Sequence, residues 1–338
     1  MNWYLQNGQK SDIVFSSRIR FSRNIKGISF TTKASENELE KVYNLMKDVS
    51  LTLGYGLKFM DLGDLDSITK QALAERHIIS REFANTTEKY RAIIVNNDEN
   101  ICIEVNGEDH IKIQVFCSGL DLNNLLNLAV EIDEKIGKTI PYSYHEKYGY
   151  LTACPTNVGT GLKASVLVHL PGLSVTKNVR KVLNVVNNLG MSIRGLYGEG
   201  SKVQGDMYQI SNNQTLGITE NEIVKNLDLI TQKVIEQERV ARKYLAKKSI
   251  DLEDKVYRDF GILSNARKLK EDETLELLSS VKLGTDLGII KELDDMKMSE
   301  LILYTKPANL QKRIGNELGL YELQAERANV VKQIINKS

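Results

Sequence analysis

Four short segments combine residue types that can handle a phosphorylated or cationic substrate. In Ser16-Ser17-Arg18-Ile19-Arg20 two arginines stand two residues apart behind hydroxyls. If the chain is extended there, both guanidinium groups share one face, and their planar forks suit bidentate hydrogen bonds to phosphate. A solvated strand face would read the same way. In Asn106-Gly107-Glu108-Asp109-His110 a carboxylate in a turn-rich stretch can hold a cation, although polar hairpin tips are common without any function. Cys154-Pro155-Thr156-Asn157-Val158-Gly159-Thr160 sets a cysteine ahead of a rigid turn and a polar, glycine-bearing loop; an isolated free cysteine is ordinarily a small buried hydrophobe. Ile193-Arg194-Gly195-Leu196-Tyr197-Gly198-Glu199-Gly200 spaces glycines so that backbone amides can approach an anion, with an arginine and a glutamate alongside. Its plain alternative is a tight turn between elements.

These segments need elements to carry them. Ile13 to Phe21 alternates, with Ile13, Phe15, Ser17, Ile19 and Phe21 on one face and Ser16, Arg18, Arg20 and Ser22 on the other, the pattern of a strand with an apolar back and a basic front. Arg91 to Val95, Ile101 to Val105 and Ile111 to Phe116 read as strands, the last two joined as a hairpin by residues 106–110. Lys163 to Leu170 and Met207 to Ser211 read as further strands. Glu36 to Leu53, Leu120 to Ile136 and Lys177 to Leu189 read as helices, the last two stopped by Gly137 and Gly190. Hairpins interrupted by single helices predict an α+β class, an antiparallel sheet flanked by helices. There is no Gly-Lys-Ser/Thr phosphate loop, which argues against a P-loop fold. From Thr219 the texture changes. Thr219 and Glu222 form a capping-box pattern ahead of a long charged helix to about Lys248, and helical stretches follow at Glu271 to Leu283 and Ser299 to Thr305. The expected division is a first domain over 1–230 and an all-helical C-terminal domain over 231–338.

Bulk composition narrows the function classes. A net charge of +1 gives no global field for nucleic acid, so any anion site must arise from local clustering. Three cysteines without regular spacing, Cys102, Cys117 and Cys154, fit neither a disulfide framework nor a zinc site. Met1 to Lys10 is polar and unlike a signal peptide, and no apolar run is long enough to span a bilayer. The expectation is a cytoplasmic protein with no membrane segment.

Taken in order, Ser-Ser-Arg-x-Arg, Glu-Asp-His, Cys-Pro-Thr-Asn-x-Gly-Thr-Gly and Arg-Gly-x-Tyr-Gly-Glu resemble the ATP:guanido phosphotransferase family. The resemblance covers most of residues 12 to 215. The loop Arg194 to Gly200 and the segment Lys306-Pro307-Ala308-Asn309-Leu310-Gln311 resemble the bacterial protein-arginine kinase branch in particular. So does the placement of a helical domain after, rather than before, the catalytic part.

The resemblance implies transfer of the γ-phosphoryl of MgATP to a guanidinium nitrogen, with ATP and Mg2+ as cofactors and the metal carried by the nucleotide. It implies Glu108 and Glu199 as catalytic carboxylates and Cys154 as an orienting thiolate. It assigns the nucleotide to Ser16, Ser17, Arg18, Ile19 and Arg20, to His77, to Lys112, to Lys163, Ala164, Ser165, Val166 and Leu167, and to Arg194, Gly195, Leu196, Tyr197, Gly198 and Glu199. The sequence departs from the family at Gly107, where a glutamate is usual, and at Lys112 and Lys163, where arginines are usual; lysine keeps the charge but loses the fork. Of the branch's phosphoarginine-binding motif only Arg327 and Ala328 match. Implied partners are arginine-bearing proteins, a zinc-binding activator, the Clp protease system and a second copy of the chain as a homodimer. Two alternatives stay open: a kinase for a small free guanidine, and a weakly catalytic adaptor that binds nucleotide or phosphoarginine.

Overall fold

The computed structural model describes residues 2–195, 204–247 and 249–337. Its first part runs β1 (Val14–Arg23), α1 (Glu36–Ser50), β2 (Lys58–Asp61), α2 (Ser67–Glu75), α3 (Arg81–Asn85), β3 (Ala92–Val95), β4 (Ile101–Val105), β5 (Ile111–Ser118) and α4 (Leu122–Gly137). A small hairpin, β6 (Tyr144–His145) and β7 (Gly149–Tyr150), precedes β8 (Leu162–His169), α5 (Pro171–Val175), α6 (Val179–Asn188), β9 (Met191–Gly195) and β10 (Met207–Asn212). Helices follow: α7 (Glu220–Ala246), α8 (Ser249–Asn265), α9 (Glu271–Asp286), α10 (Asp295–Tyr304), α11 (Pro307–Ile314) and α12 (Leu320–Ile335).

Eight strands form one sheet in the order β2-β3-β4-β5-β1-β8-β10-β9, antiparallel at every junction. The α+β expectation of a sheet flanked by helices is met. Ile19, Phe21, Ile113, Val115, Ala164, Val166 and Ile210 point backward into a core shared with α1, α4 and α7 as far as Ala241. The expected β4–β5 hairpin is present, and the Thr219–Glu222 capping box starts α7 as its spacing predicts. Among the described residues no helix is long and apolar enough to cross a membrane.

Three local features differ from the reading of the sequence. First, β1 slips register between Val14 and Ser16 against β8. Such a bulge breaks strict alternation, so Val14 takes the core position and Phe15 turns to meet the His169 ring, 5.7 Å away between centroids. Second, residues 193–195, read as the start of a glycine turn, belong to the edge strand β9. Third, β2, α2 and α3 occupy a stretch with no element assigned in advance. β2 is short, and α2 owes its start to Asp66, whose side chain accepts the Thr69 N–H at 2.8 Å.

The helices after α7 enclose a second core, beginning at Leu245 and built from α8, α9, α10, α11 and α12. A buried ionic chain ties the two cores. Glu238 on α7 accepts the Gly172 and Leu173 amides at the start of α5, both at 2.8 Å, and Arg242 donates to Glu238 at 2.7 Å. Arg242 also reaches Asp286 on α9 at 2.9 Å, and Lys282 closes on the same carboxylate at 2.7 Å.

His169 extends this junction. It is fully buried at the end of β8, with Nε2 2.9 Å from Ser279 Oγ on α9, and Ser279 donates to Asp206 at 2.8 Å. Burial, with Arg242 and Lys282 nearby, holds the imidazole well below its usual range. Below about pH 6.5 the unfolded chain therefore takes up a proton that the folded chain refuses. The folded pKa is depressed, so stability is complete above that pH and falls as the pH drops beneath it, by up to about 1.4 kcal/mol per pH unit for this group. Burial displaces His77 and His110 in the same direction. Urea midpoints at about pH 7.5 and about pH 5.5 should thus differ, and His169→Gln should shrink the difference without abolishing it. An unchanged difference in the variant would remove His169 as a source of the acid sensitivity.

Candidate active site

Alternation along the central strands builds the front of the sheet. Arg18 and Arg20 point forward from β1. Arg20 stands opposite Lys163 of β8 and Gln114 of β5, and Arg18 opposite Ser165 and Phe116. On the far side Gln209 of β10 pairs with Arg194 of β9. Together with Glu108 and Cys154, these cations line one cleft of about 480 Å³. The same alternation corrects part of the expected nucleotide set. Ile19, Ala164 and Val166 face the apolar core behind the sheet and are essentially unexposed, so their side chains do not line the cleft. Ser17 is also turned inward, its hydroxyl donating to the Gly119 carbonyl at 2.8 Å at the start of α4. Ser16 and Leu167 line the space that continues the cleft past His77 toward Trp3. Gly195 ends β9; Leu196, Tyr197, Gly198 and Glu199 lie outside the described residues.

Glu108 is held by its neighbours. Asn106, in the left-handed region at φ 56°, closes the hairpin by donating its backbone N–H to the His110 carbonyl at 2.8 Å, and its side chain donates to the Leu39 and Tyr90 carbonyls. His110 Nδ1 accepts the Ile25 N–H at 3.0 Å, which leaves Nε2–H to donate to the Ser29 carbonyl at 2.8 Å. Asp109, fully buried, accepts the Asn24 amide and the Ala153 N–H, both at 2.7 Å. One carboxylate thus ties the turn bearing Glu108 to the loop bearing Cys154. That loop is pinned from the other side by Thr215, whose hydroxyl bridges the Thr156 and Val158 carbonyls. Gly159 sits at φ 115°, where a Cβ would fall 2.2 Å from the Thr215 carbonyl oxygen, so only glycine lets the two backbone segments approach. Cys154 Sγ lies 3.0 Å from Thr156 Oγ1 on the cleft wall.

The cations are not equivalent. Burial, and then Arg20, push Arg18 down to about 10, while Glu104 opposes the shift. Lys112 is buried against Glu104 with its Nζ on Oε2, and Gln114 donates to the other carboxylate oxygen at 3.0 Å. Its charge is therefore neutralised within the protein. Lys163 instead donates to a neutral carbonyl, that of Asn212. Gly107 belongs to this arrangement: a Cβ there would begin 3.2 Å from Glu104 Oε2, so a longer acidic chain would confront the carboxylate that Lys112 already pairs with. Arg18, Arg20, Lys163 and Arg194 then face one space, a donor set that fits a polyphosphate.

His77 borders the same space. Burial, and then Lys306, Arg18 and Arg81, hold its imidazole well below the usual range, so it is neutral at physiological pH. Arg81, at the start of α3, also lines the cleft, as does Glu104; neither was singled out in the sequence. The acid at 104 alternates with Ile103 and Val105, and that pattern alone could have marked it as a front-face residue. In the helical domain, Arg327 donates to the Thr305 and Leu269 carbonyls at 2.6 and 2.8 Å, and Ala328 is part of the second core. The Arg327 guanidinium is thus engaged with the backbone that surrounds it.

Comparison with known proteins agrees with this geometry. Residues 34–241 match the family described as ATP:guanido phosphotransferase, C-terminal catalytic domain, and residues 249–338 match the protein-arginine kinase McsB C-terminal domain. The protein-arginine kinase of Halothermothrix orenii is 42% identical over 337 residues, spanning 99% of this chain and 96% of that one. That of Bacillus cereus strain G9842 is 41% identical over 336 residues, spanning 98% and 94%. Among solved structures, lombricine kinase superposes with a TM-score of 0.61 at 27% identity, over 72% of this chain and 70% of that one. With a catalytic match across the cleft-bearing sheet and a second match across the helices that follow it, the chain belongs to the ATP:guanido phosphotransferase family, on its protein-arginine kinase branch.

Proposed function

We propose that this protein is a protein-arginine kinase that transfers the γ-phosphoryl group of ATP to the guanidinium of arginine residues in other proteins. The observation that carries the reading is the shared cleft, with Glu108 and Cys154 lining the same space as Arg18 and Arg20. A guanidinium is protonated at ordinary pH and its nitrogen lone pair is delocalised, so it is a poor nucleophile. Glu108 accepts a hydrogen bond from the guanidinium, turns the reacting nitrogen toward phosphorus, and takes its proton as the P–N bond forms and the bond to the ADP oxygen breaks. Arg18, Arg20, Lys163 and Arg194 hold and neutralise the phosphate oxygens through this step. Magnesium carried by the nucleotide would add positive charge at those oxygens. Cys154 orients the guanidinium and is not a nucleophile in this direct transfer. Glu199 is proposed as the second carboxylate.

The wider setting rests on the family resemblance: a cytoplasmic enzyme, homodimeric through its helical domain, acting with a zinc-binding activator and the Clp protease system. We also place the division between its domains near the end of α7, because Ala241 still packs in the first core and Leu245 in the second.

Two measurements test the assignment of roles. Incubation with MgATP and an arginine-rich protein should yield acid-labile phosphoarginine by mass spectrometry, and Glu108→Gln should lower the rate by roughly 10²- to 10⁴-fold, the range of a lost general base. Phosphorylation of free arginine but not of protein would overturn the substrate assignment. The two cleft lysines should separate. Lys163→Met should raise KM for ATP by about tenfold, as loss of one charge-assisted phosphate contact does. Lys112→Met should leave that KM within about twofold yet cost about 3–5 kcal/mol of stability, because it strands the buried Glu104 carboxylate. The reverse pattern would make Lys112 the nucleotide ligand.

A further inference from the structure

His77 stands in a backbone conformation that its side chain does not favour. Its φ is 62°, in the left-handed region. It occupies the position just past the end of α2 where glycine is usual, in a Schellman motif: the Ile78 N–H donates to the Leu73 carbonyl and the His77 N–H to the Ala74 carbonyl, both at 3.0 Å. A non-glycine residue there is strained and persists only where its surroundings over-determine it.

The helical domain supplies those surroundings. The Glu75 carboxylate, in the last turn of α2, accepts the Ala308 and Asn309 N–H groups at the start of α11, at 2.8 and 2.9 Å. The Asn309 side chain donates to the same carboxylate at 2.8 Å and accepts from Arg76 at 2.7 Å. In return, Lys306 donates to the backbone carbonyl of Glu75 at 2.8 Å. Each helix end therefore satisfies the other: an acid caps the amides of α11, and a cation caps the carbonyl end of α2. Asn309 and Lys306 are both buried in this contact. The three residues Glu75, Arg76 and His77 are consecutive, so whatever fixes the first two fixes the third.

We propose that Glu75, Lys306 and Asn309 are positioning residues for the nucleotide: the helical domain, by gripping the end of α2, holds His77 in the cleft in the conformation that ATP meets. This rests on the reading of the cleft as an ATP site. Lys306, itself set beside the Glu75 and Glu271 carboxylates, contributes positive charge near His77 together with Arg18 and Arg81, so an anionic nucleotide at this corner meets charge from both domains. Coupling of this kind is reciprocal: if the grip favours ATP, then ATP must tighten the grip.

The test uses the full-length protein. Hydrogen exchange at the Ala308 and Asn309 amides should slow when a non-hydrolysable ATP analogue is added. Asn309→Ala should raise KM for ATP by roughly 5- to 20-fold, the size of an ordinary coupling between sites, with a smaller change in kcat. Lys306→Met should act in the same direction and Lys306→Arg should restore most of the affinity, whereas a purely structural role would lower the melting temperature without separating KM from kcat. If the analogue binds and the α11 amides exchange unchanged, the positioning role is overturned, whether or not the variants fold. If the unaltered protein binds no ATP at all, the nucleotide-site reading itself falls.

Discussion

The constraint on which the rest of the structure depends is the crowding of like charge on one face of the sheet. Arg18, Arg20, Lys163 and Arg194 face a single cleft, and Lys112 stands beside them. Burial alone weakens the hold of Arg18 on its proton, and Arg20 adds to the effect. Such a face is tolerable only if anions are set against it. The protein sets acids among the cations: Glu104 pairs with Lys112, and Glu82 and Glu108 line the same cleft. Under the proposed function, the phosphates of a nucleotide add negative charge beside Arg18, Arg20, Lys163 and Arg194, so its affinity draws on the same crowding. The apolar layer behind the sheet is what makes the arrangement affordable in structural terms. Ile19, Phe21, Ala164 and Val166 alternate with the cations on the same strands and anchor them in the core.

Much of this was legible because a strand has a period of two. The spacing of Arg18 and Arg20 placed both on one face, and the turn at residues 106–110 placed Glu108 at the end of a hairpin. Taking a whole motif as a binding set went too far for the same reason. In Lys163-Ala164-Ser165-Val166-Leu167 only alternate side chains can face a ligand, and Ala164 and Val166 face away. Strict alternation also misplaced Phe15, because a bulge is an extra residue on one strand and leaves no mark in the pattern of that strand alone.

Other features lay beyond a local reading because they join residues far apart in the chain. Asp109 and Ala153 are 44 positions apart, yet their hydrogen bond sets where Glu108 and Cys154 stand relative to each other. Glu75 and Asn309 are 234 positions apart. A sequence displays the cap and the helix but not that the cap belongs to another domain. Lys112 is an intermediate case. Its charge was evident, but its availability depended on Glu104, eight residues away across a hairpin whose register decides the pairing.

The two replacements of arginine by lysine therefore have different physical content. An arginine at 112 would present a fork with five donors, enough to satisfy a carboxylate and still reach a phosphate. A lysine concentrates its charge on one nitrogen, and with Glu104 directly opposite across the strands that nitrogen is drawn to the carboxylate. Glycine at 107 removes the side chain that would compete for the same space. Gly107, Glu104 and Lys112 thus form one local solution, a neutral buried pair with room beside it. At 163 the ammonium donates to a backbone carbonyl, that of Asn212. Identical substitutions in the sequence thus leave one lysine paired with a carboxylate and the other hydrogen-bonded to a backbone carbonyl, and the difference is set by the residues that the neighbouring strands place beside each.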